Sequence, residues 1–124
     1  MNRDTIPYEE QIEAIAKLKA HEMLAKYISD ERYRLDPRPY VKVKRKDLVA
    51  YFRNNLQIAT NHLSRCQQNR SKTVHDTHVL LEEDNRVVVA GIDHGRFFAR
   101  KEFDTLEDAC AEYVLRLYGM PLDE

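Results

Sequence analysis

Apolar side chains recur every three or four residues over the first thirty positions, which is the spacing of one face of a helix. The stripe runs from Tyr8 to Ile28, and Pro7 precedes it at a position that suits the first turn of a helix. This pattern predicts one long opening helix that ends near Ser29. Residues 35–39 include two prolines, which lack an amide donor and push the preceding residue toward extended geometry, so they predict a turn or linker.

The middle of the chain changes from alternation to a second helical stripe. Residues 40–44 alternate between apolar and polar side chains, as in a short strand. Apolar positions spaced three and four apart then continue through 48–66 and predict a helix over much of 47–67. Residues 67–72 have no apolar side chain, so they are predicted to form a surface loop.

The last third contains three runs that are rich in strand-forming residues, at 74–83, 86–93 and 96–103. The dipeptides Asp84-Asn85 and His94-Gly95 separate them. Two-residue connections of this composition are typical of tight β-hairpins. The pattern therefore predicts a three-stranded antiparallel meander.

Pairing across these two turns divides the side chains between two faces of the sheet. The face predicted to line the core, called the first face, has Val79, Leu81, Val88, Ala90, Ile92, Phe97 and Ala99. The second face has His78, Leu80, Val87, Val89, Phe98, Arg100 and Glu102. Because the second face is more apolar than a solvated sheet surface, we expect it to be covered, preferably by one of the chain's own helices.

A closing helix is predicted from residue 106 onward. Asp104 or Thr105 can cap its free amides, and an apolar stripe continues to residue 117. Gly119 and Pro121 then end the helix. The whole chain, residues 1–124, is predicted to be a single α+β domain in which N-terminal, middle and C-terminal helices pack on the three-stranded antiparallel meander.

The amino-acid composition indicates the cellular compartment of the protein. The two cysteines, Cys66 and Cys110, both lie in predicted helices, so a reducing compartment is expected rather than a disulfide framework. No apolar stretch has the length of a signal peptide or of a membrane span, which predicts a cytoplasmic protein without a membrane partner. With only three glycines, the chain has no glycine fingerprint for nucleotides.

The net charge of -1 conceals three blocks of alternating sign. Residues 1–31 have 4 basic and 7 acidic side chains, residues 32–72 have 11 and 2, and residues 73–124 have 5 and 12. Such segregation either steers the protein toward a charged partner or is neutralised when the blocks pack together. The sequence leaves both alternatives open.

Metal and catalytic sites are weakly indicated. His62 and Cys66 share a helical face, and His75, Asp76 and His78 follow. However, residues 75 and 78 of a strand point to opposite faces, and no further motif completes four ligands. Because no activated nucleophile is apparent either, the chain is predicted not to be an enzyme and to need no cofactor or metal.

Nucleic-acid binding is one functional hypothesis, because the basic block is interleaved with tyrosines. The order of elements is that of a winged helix-turn-helix if residues 54–55 break the middle helix and 58–70 form a recognition helix. Against this, the apolar pattern continues through 54–55 as in one helix. The side chains predicted to contact nucleic acid are Asn61, Arg65, Gln68 and Arg70.

A resemblance favours a different hypothesis. The segment 86–96, followed by Lys101-Glu102-Phe103-Asp104 and the acidic helix start to residue 110, resembles the C-terminal part of small bacterial immunity proteins of contact-dependent or polymorphic toxin systems. The likeness covers about a quarter of the chain. It implies a cytoplasmic protein that binds one cognate toxin domain, often a nuclease, and blocks its active site.

The leading functional hypothesis is therefore an immunity-type protein that neutralises a toxin by occlusion. A nuclease that binds nucleic acid favours an acidic inhibitor surface, and the last third of the chain offers one. The residues predicted to contact the toxin are Glu82, Glu83, Asp84, Glu102, Glu107, Asp108 and Glu112, of which the last three are assigned to the outer face of the closing helix.

Overall fold

The computed structural model describes residues 6–29, 36–69 and 77–122. Its strands form one antiparallel sheet in the order β1-β2-β3, and helices precede and follow the sheet. The predicted α+β fold, with N-terminal, middle and C-terminal helices and a three-stranded meander, is confirmed. The elements are α1 (Tyr8–Ala16), α2 (Ala20–Tyr27), α3 (Arg45–Asn54), α4 (Leu56–Asn69), β1 (Thr77–Glu83), β2 (Arg86–Asp93), β3 (Arg96–Phe103) and α5 (Leu106–Tyr118).

Both predicted hairpins have two-residue turns. Asp84 and Asn85 have φ values of 51° and 66°, and His94 and Gly95 have φ values of 52° and 79°. Two successive residues in the left-handed region define the turn whose twist matches that of paired strands. Residues 74–76 of the first predicted strand lie outside the described residues.

The pairing of β2 with β3 contains a bulge that the sequence did not reveal. Val89 pairs with Lys101 and Gly91 pairs with Phe98, so Ala90 lies opposite two residues of β3 rather than one. One of the two is Ala99, whose φ of 50° is the left-handed conformation of a bulge residue. One extra residue shifts every later side chain of the strand to the opposite face.

The predicted faces are therefore wrong for part of β3. Arg100 and Glu102 lie on the first face rather than the second, because they follow the bulge. Phe97 and Ala99 are exposed rather than in the core, since all of β3 except Phe103 is exposed at the edge of the sheet.

In β1 and β2 both faces of the sheet are buried. Leu80 and Val89 of the second face and Val88 of the first face have no exposed surface. Helix α5 contacts all three strands, and the charges of its residues Arg116 and Glu112 act on His78 of the second face. The expectation that one of the chain's own helices covers the second face is confirmed.

The opening helix is two helices rather than one. In a continuous helix, the Ala20 amide would donate to the Ala16 carbonyl. Instead, the Ala20 amide donates to the Tyr118 hydroxyl at 3.1 Å, and the Ala16 carbonyl accepts from His62 Nε2 at 2.7 Å. Leu18 between them has a φ of 59°. Contacts with α4 and α5 thus satisfy the backbone groups at the break.

The proline segment forms the predicted turn where it is described. The Tyr40 amide donates to the Pro37 carbonyl at 3.0 Å, and the Asp36 carboxylate accepts from the Arg38 amide at 3.0 Å. Leu35 lies outside the described residues.

The predicted strand at 40–44 is not a strand. Its side chains alternate between buried and exposed as expected, but its amides do not join a sheet. The Lys42 amide donates to the Gln11 side-chain oxygen, and the Lys44 amide donates to the Tyr8 hydroxyl, each at 3.0 Å. Side chains of α1 thus replace the neighbouring strand.

The middle helix breaks at Asn55. The Asn55 amide donates to the Phe52 carbonyl at 3.1 Å, while the Asn55 side chain donates to the Tyr51 carbonyl at 2.9 Å. The side chain thus takes the acceptor that the amide would use in a continuous helix. Helix α4 then extends to Asn69, so the surface loop predicted for 67–72 does not begin at 67, and residues 70–72 are outside the described residues.

The closing helix matches its prediction at both ends. The Thr105 hydroxyl accepts from the Asp108 amide at 3.3 Å and caps α5. Gly119 has a φ of 66°, and the amides of Gly119 and Met120 donate to the Arg116 and Leu115 carbonyls. Within the described residues, no helix combines the length and the apolar character needed to cross a bilayer.

Candidate partner-binding surfaces

The end of the β1–β2 hairpin presents acidic side chains to solvent. Glu82 and Asp84 are exposed, and neither forms an ion pair with another described residue. The neighbouring Glu83 differs, because its carboxylate accepts from Arg100 Nη2 at 2.6 Å. Glu82 and Asp84, called the acidic hairpin tip, are therefore available to an external cation.

Further along the first face, acidic and basic side chains alternate. Arg100 binds Glu83 and, at 3.0 Å, Glu102. Arg86 lies 3.7 Å from Glu102 and 3.0 Å from Asp104. These five side chains, Glu83, Arg86, Arg100, Glu102 and Asp104, are called the arginine ladder. The arrangement depends on the bulge, which brings Arg100 to the same face as Glu83. Two of the predicted contact residues, Glu83 and Glu102, are thus already neutralised.

The first turn of α5 also uses its acids internally. Asp108 accepts a hydrogen bond from the Thr105 hydroxyl at 2.7 Å while its amide donates back to that hydroxyl. Glu107 has a side chain that is 17% exposed and lies 3.4 Å from Arg53. Both acids are therefore only partly available to a partner.

Glu112 does not lie on the outer face of α5, so that part of the prediction is wrong. Its side chain is 2% exposed and accepts hydrogen bonds from Arg45 Nη1 and, at 2.9 Å, from Arg116 Nε. Burial alone would raise the pKa of the Glu112 carboxyl, but the hydrogen bonds from both arginines outweigh burial and hold that pKa below its ordinary value. The Glu112 carboxylate therefore has a structural role, because it binds Arg45 and Arg116 inside the fold.

The basic block and the acidic last third thus meet inside the fold. Arg45 and Arg53 of the basic block pair with Glu112 and Glu107 of α5. The alternative in which packing neutralises the segregated charges is correct for these pairs. Several lysines of the basic block remain exposed, namely Lys42, Lys44 and Lys46.

Helix α4 exposes the side chains predicted to contact nucleic acid. Asn61, Arg65 and Gln68 are all exposed and are spaced so that they share one side of the helix. Arg70 lies outside the described residues. The break at Asn55 meets one condition of the winged-helix hypothesis, but a single residue between α3 and α4 is shorter than the three to four residues of a typical helix-turn-helix turn.

His62 and Cys66, the candidate metal ligands on α4, are buried in the core and form hydrogen bonds there. His62 donates to the Ala16 carbonyl and lies 2.7 Å from Arg65 through Nδ1, while the Cys66 thiol donates to the Tyr113 hydroxyl at 3.5 Å. No three His, Cys, Asp or Glu side chains within residues 6–29, 36–69 and 77–122 are arranged to hold a metal. His75 and Asp76 lie outside those ranges.

The second cysteine is equally enclosed. The Cys110 thiol contacts the Ala59 carbonyl at 3.6 Å, and burial raises its pKa to about 12. A thiol with that pKa is protonated at neutral pH and is therefore a poor nucleophile.

The sequence did not predict one candidate site, which is a cavity. A cavity of about 820 Å³ lies between α2, the proline turn, the sheet and the end of α5. Arg38, His78, Phe98 and Arg116 are among the residues that line it. They come from four separate segments of the chain, so no local motif could have indicated their proximity.

The acidic hairpin tip, the exposed side of α4 and this cavity are surface features that can bind a partner. Comparisons with protein-family models, with curated proteins and with solved structures found no match for this chain.

Proposed function

We propose that this protein is an immunity-type inhibitor that binds one cognate bacterial toxin domain and blocks the toxin's active site. The observation that carries the proposal is the acidic hairpin tip, where Glu82 and Asp84 are exposed and form no ion pair with a cation of the described residues. The tip directly precedes the segment 86–96, which together with the step into α5 resembles immunity proteins.

Electrostatics explains why such a tip suits this role. An active site that acts on nucleic acid is cationic, because it must attract phosphates. Carboxylates at a hairpin end reach such a site as a substitute for phosphate, and their charge accelerates association more than it adds affinity. A nuclease is therefore the class of toxin that this surface fits.

Fewer residues are proposed to contact the toxin than the sequence predicted. Glu82 and Asp84 make the primary contacts in the proposal. Glu83 and Glu102 of the arginine ladder contribute hydrogen bonds at the rim rather than net charge. Glu112 contributes only by holding α5 in place.

Identification of the partner comes first. Tagged protein is used to capture binding proteins from lysate of the source cells, with and without added nuclease. The proposal requires a stoichiometric protein partner that survives nuclease treatment and whose enzymatic activity falls in proportion to the bound inhibitor. A partner that remains active when saturated would contradict occlusion.

Charge reversal at the tip then tests the contact surface. Changing Glu82→Lys together with Asp84→Lys is expected to slow association with the captured toxin by about tenfold at low salt and to weaken its salt dependence. Stopped-flow association measured over a series of salt concentrations gives both quantities.

A matched control separates local from overall charge. Glu9→Lys with Glu22→Lys makes the same change in net charge at exposed positions on α1 and α2. The proposal expects this control to change association much less than the tip variant does. Equal effects of the two variants would remove the tip from the interface.

Nucleic-acid binding through α4 is the second candidate, because Asn61, Arg65 and Gln68 share one exposed side of that helix. Under this candidate, Arg65→Ala weakens binding to a duplex DNA probe, and the slope of log K against log salt becomes smaller by about 1. Lys26→Ala is the control for loss of one positive charge elsewhere. If wild-type protein does not bind the probe at low salt, this candidate is excluded.

A further inference from the structure

Strand β3 lies at one side of the sheet and has an outer edge. Within residues 6–29, 36–69 and 77–122 it pairs only with β2, and no backbone hydrogen bond joins it to another element. Residues 96–102 of the strand are all exposed. An edge of this kind can take an extended segment of another protein as an additional strand.

The pairing with β2 determines which backbone groups of β3 face outward. Arg96 closes a two-residue turn with Asp93, so these residues form a hydrogen-bonded pair, and such pairs recur at every second position of β2. The backbone groups of Phe97 and Glu102 lie between such pairs and therefore face away from β2. A strand added to this edge would pair with these outward groups.

Three side chains of β3 form a row on the second face of the sheet. They are Arg96, Phe98 and Lys101, which pair with the alternate residues Asp93, Gly91 and Val89 of β2. The bulge lets three residues of β3 span the length of two residues in a neighbouring strand. An added strand would therefore meet this row with every second side chain, as β2 does.

Phe98 is the apolar member of the row, and it is 48% exposed. Its ring lies over Gly91, where a Cβ would come within 2.3 Å of it, and its centroid lies 6.2 Å from that of the His78 ring. Contacts with β1 and β2 thus hold the ring in place while half of its surface remains exposed. A side chain that is already fixed loses little conformational freedom when a partner covers it.

The other two members of the row are cations. Neither Arg96 nor Lys101 forms an ion pair with any residue in the described part of the chain. Asp93 lies opposite Arg96 on β2 and also lies 3.4 Å from His94, so the charge of Arg96 is partly balanced. Lys101 has no such neighbour on β2, and its Nζ lies 5.3 Å from the centre of the Phe103 ring.

Charge distinguishes between two occupants of this edge. Strand β3 contains three basic side chains and one acidic side chain, so the β3 strands of two copies would repel each other. The bulge also prevents even pairing of two such strands. A segment with acidic side chains is attracted instead. The edge therefore favours an acidic segment of another protein over a second copy of this chain.

We propose that the outer edge of β3 binds an extended segment of a partner protein in which an apolar side chain lies between two acidic side chains at alternate positions. The apolar side chain packs on Phe98, and the acids lie beside Lys101 and Arg96. Because this pattern is the same in both directions, it suits a parallel and an antiparallel strand. This partner is recognised by its acids, whereas the acidic hairpin tip is proposed to bind a cationic site, so the two proposals are independent.

The test is a titration of isotope-labelled protein with synthetic peptides, followed by NMR. The acidic peptide has the sequence Thr-Asp-Thr-Ile-Thr-Glu-Thr with blocked ends, and the control peptide has lysine in place of both acids. We expect the acidic peptide to shift the amides of residues 96–102 saturably. The lysine peptide is expected to bind at least about tenfold more weakly at low salt.

Methylated peptides test the backbone pairing, because an N-methylated amide cannot donate a hydrogen bond. Only alternate amides of an added strand face β3. One version of the acidic peptide is methylated at the two inner threonines, and the other at the aspartate and the isoleucine. We expect one version to lose at least about tenfold in affinity and the other to stay within about threefold of the unmethylated peptide.

Variants assign the contact to side chains. Lys101→Glu is expected to weaken binding of the acidic peptide by about tenfold and to strengthen binding of the lysine peptide. Lys42→Glu makes the same change in net charge at an exposed position outside the sheet, and it should bind the acidic peptide within about twofold of wild type. Phe98→Ala is expected to weaken binding by about fivefold.

Three results would overturn the proposal. One is that the acidic peptide gives no saturable shift of residues 96–102 in folded wild-type protein. Another is that the lysine peptide or both methylated peptides bind as tightly as the acidic peptide, or that Lys42→Glu and Lys101→Glu weaken binding equally. The third is that the same amides shift with protein concentration in the absence of peptide, which would assign the edge to a second copy. If Phe98→Ala does not fold, Lys101→Glu decides the test.

Discussion

Replacing Glu112 by alanine is expected to lower the free energy of unfolding by about 3–5 kcal/mol, which is the usual penalty for breaking a buried ion pair on one side. Glu112 is the shared acceptor of Arg45 and Arg116, and Arg45 also lies 5.6 Å from the centre of the Phe103 ring. Without the carboxylate, two guanidinium groups remain near each other in a poorly solvated place. Chemical denaturation followed by circular dichroism measures the loss.

A matched control is available on the same helix. Glu107→Ala removes an acid that meets Arg53 at 3.4 Å near the surface, and such a pair contributes about 0–1 kcal/mol. Glu112→Gln keeps the volume of the side chain and removes only the charge. If Glu112→Ala and Glu107→Ala are equally stable, the buried network does not stabilise the fold.

Acidification should reproduce part of this loss in wild-type protein. Because the folded state holds the Glu112 pKa below its ordinary value of 4.5, the folded protein binds fewer protons than the unfolded chain near that pH. The contribution of the Glu112 carboxylate to stability is complete above pH 4.5 and is lost as pH falls through the pKa that Glu112 has in the folded protein. In Glu112→Gln, this part of the pH dependence should be absent.

The elements that the sequence predicts correctly have local causes. The two hairpins follow from Asp84-Asn85 and His94-Gly95, which accept the left-handed conformations that tight turns need. The closing helix follows from the Thr105 cap and from Gly119. Each signal is contained within a few neighbouring residues.

The elements that the sequence predicts wrongly have distant causes. The break between α1 and α2 depends on His62 and Tyr118, which are far along the chain from Ala16 and Ala20. The segment 40–44 remains outside the sheet because side chains of α1 satisfy its amides. Hydrophobic periodicity cannot reveal partners of this kind.

The candidate sites divide in the same way. Charge counting identifies the acidic character of the last third, but it treats Glu82 and Glu112 alike. Only packing distinguishes an exposed carboxylate from one enclosed by Arg45 and Arg116. Similarly, the cavity joins residues from separate segments, so it exists only when the chain is folded.

Replacing His62 by alanine is the second large expected effect, with a loss of about 2–4 kcal/mol in the free energy of unfolding. The His62 side chain is buried, and its Nε2 is the donor that satisfies the Ala16 carbonyl at the end of α1. Its ring also packs against Phe52 and Tyr113, with centroid distances of 6.1 and 5.8 Å. Truncation leaves both a cavity and an unsatisfied carbonyl.

The pH dependence of this loss separates the imidazole from simple packing. Burial lowers the pKa of His62, so between its ordinary value of 6.5 and the folded value the unfolded chain binds more protons. Wild-type stability should therefore fall as pH decreases below about 6.5, and His62→Ala should show a flatter curve, with His78 accounting for the slope that remains. Asn61→Ala, at the exposed neighbouring position on α4, should change stability by less than about 0.5 kcal/mol and keep the wild-type slope. If His62→Ala keeps the wild-type slope, the fold does not favour neutral His62 over protonated His62. In that case His62 holds α1 against α4 only through packing.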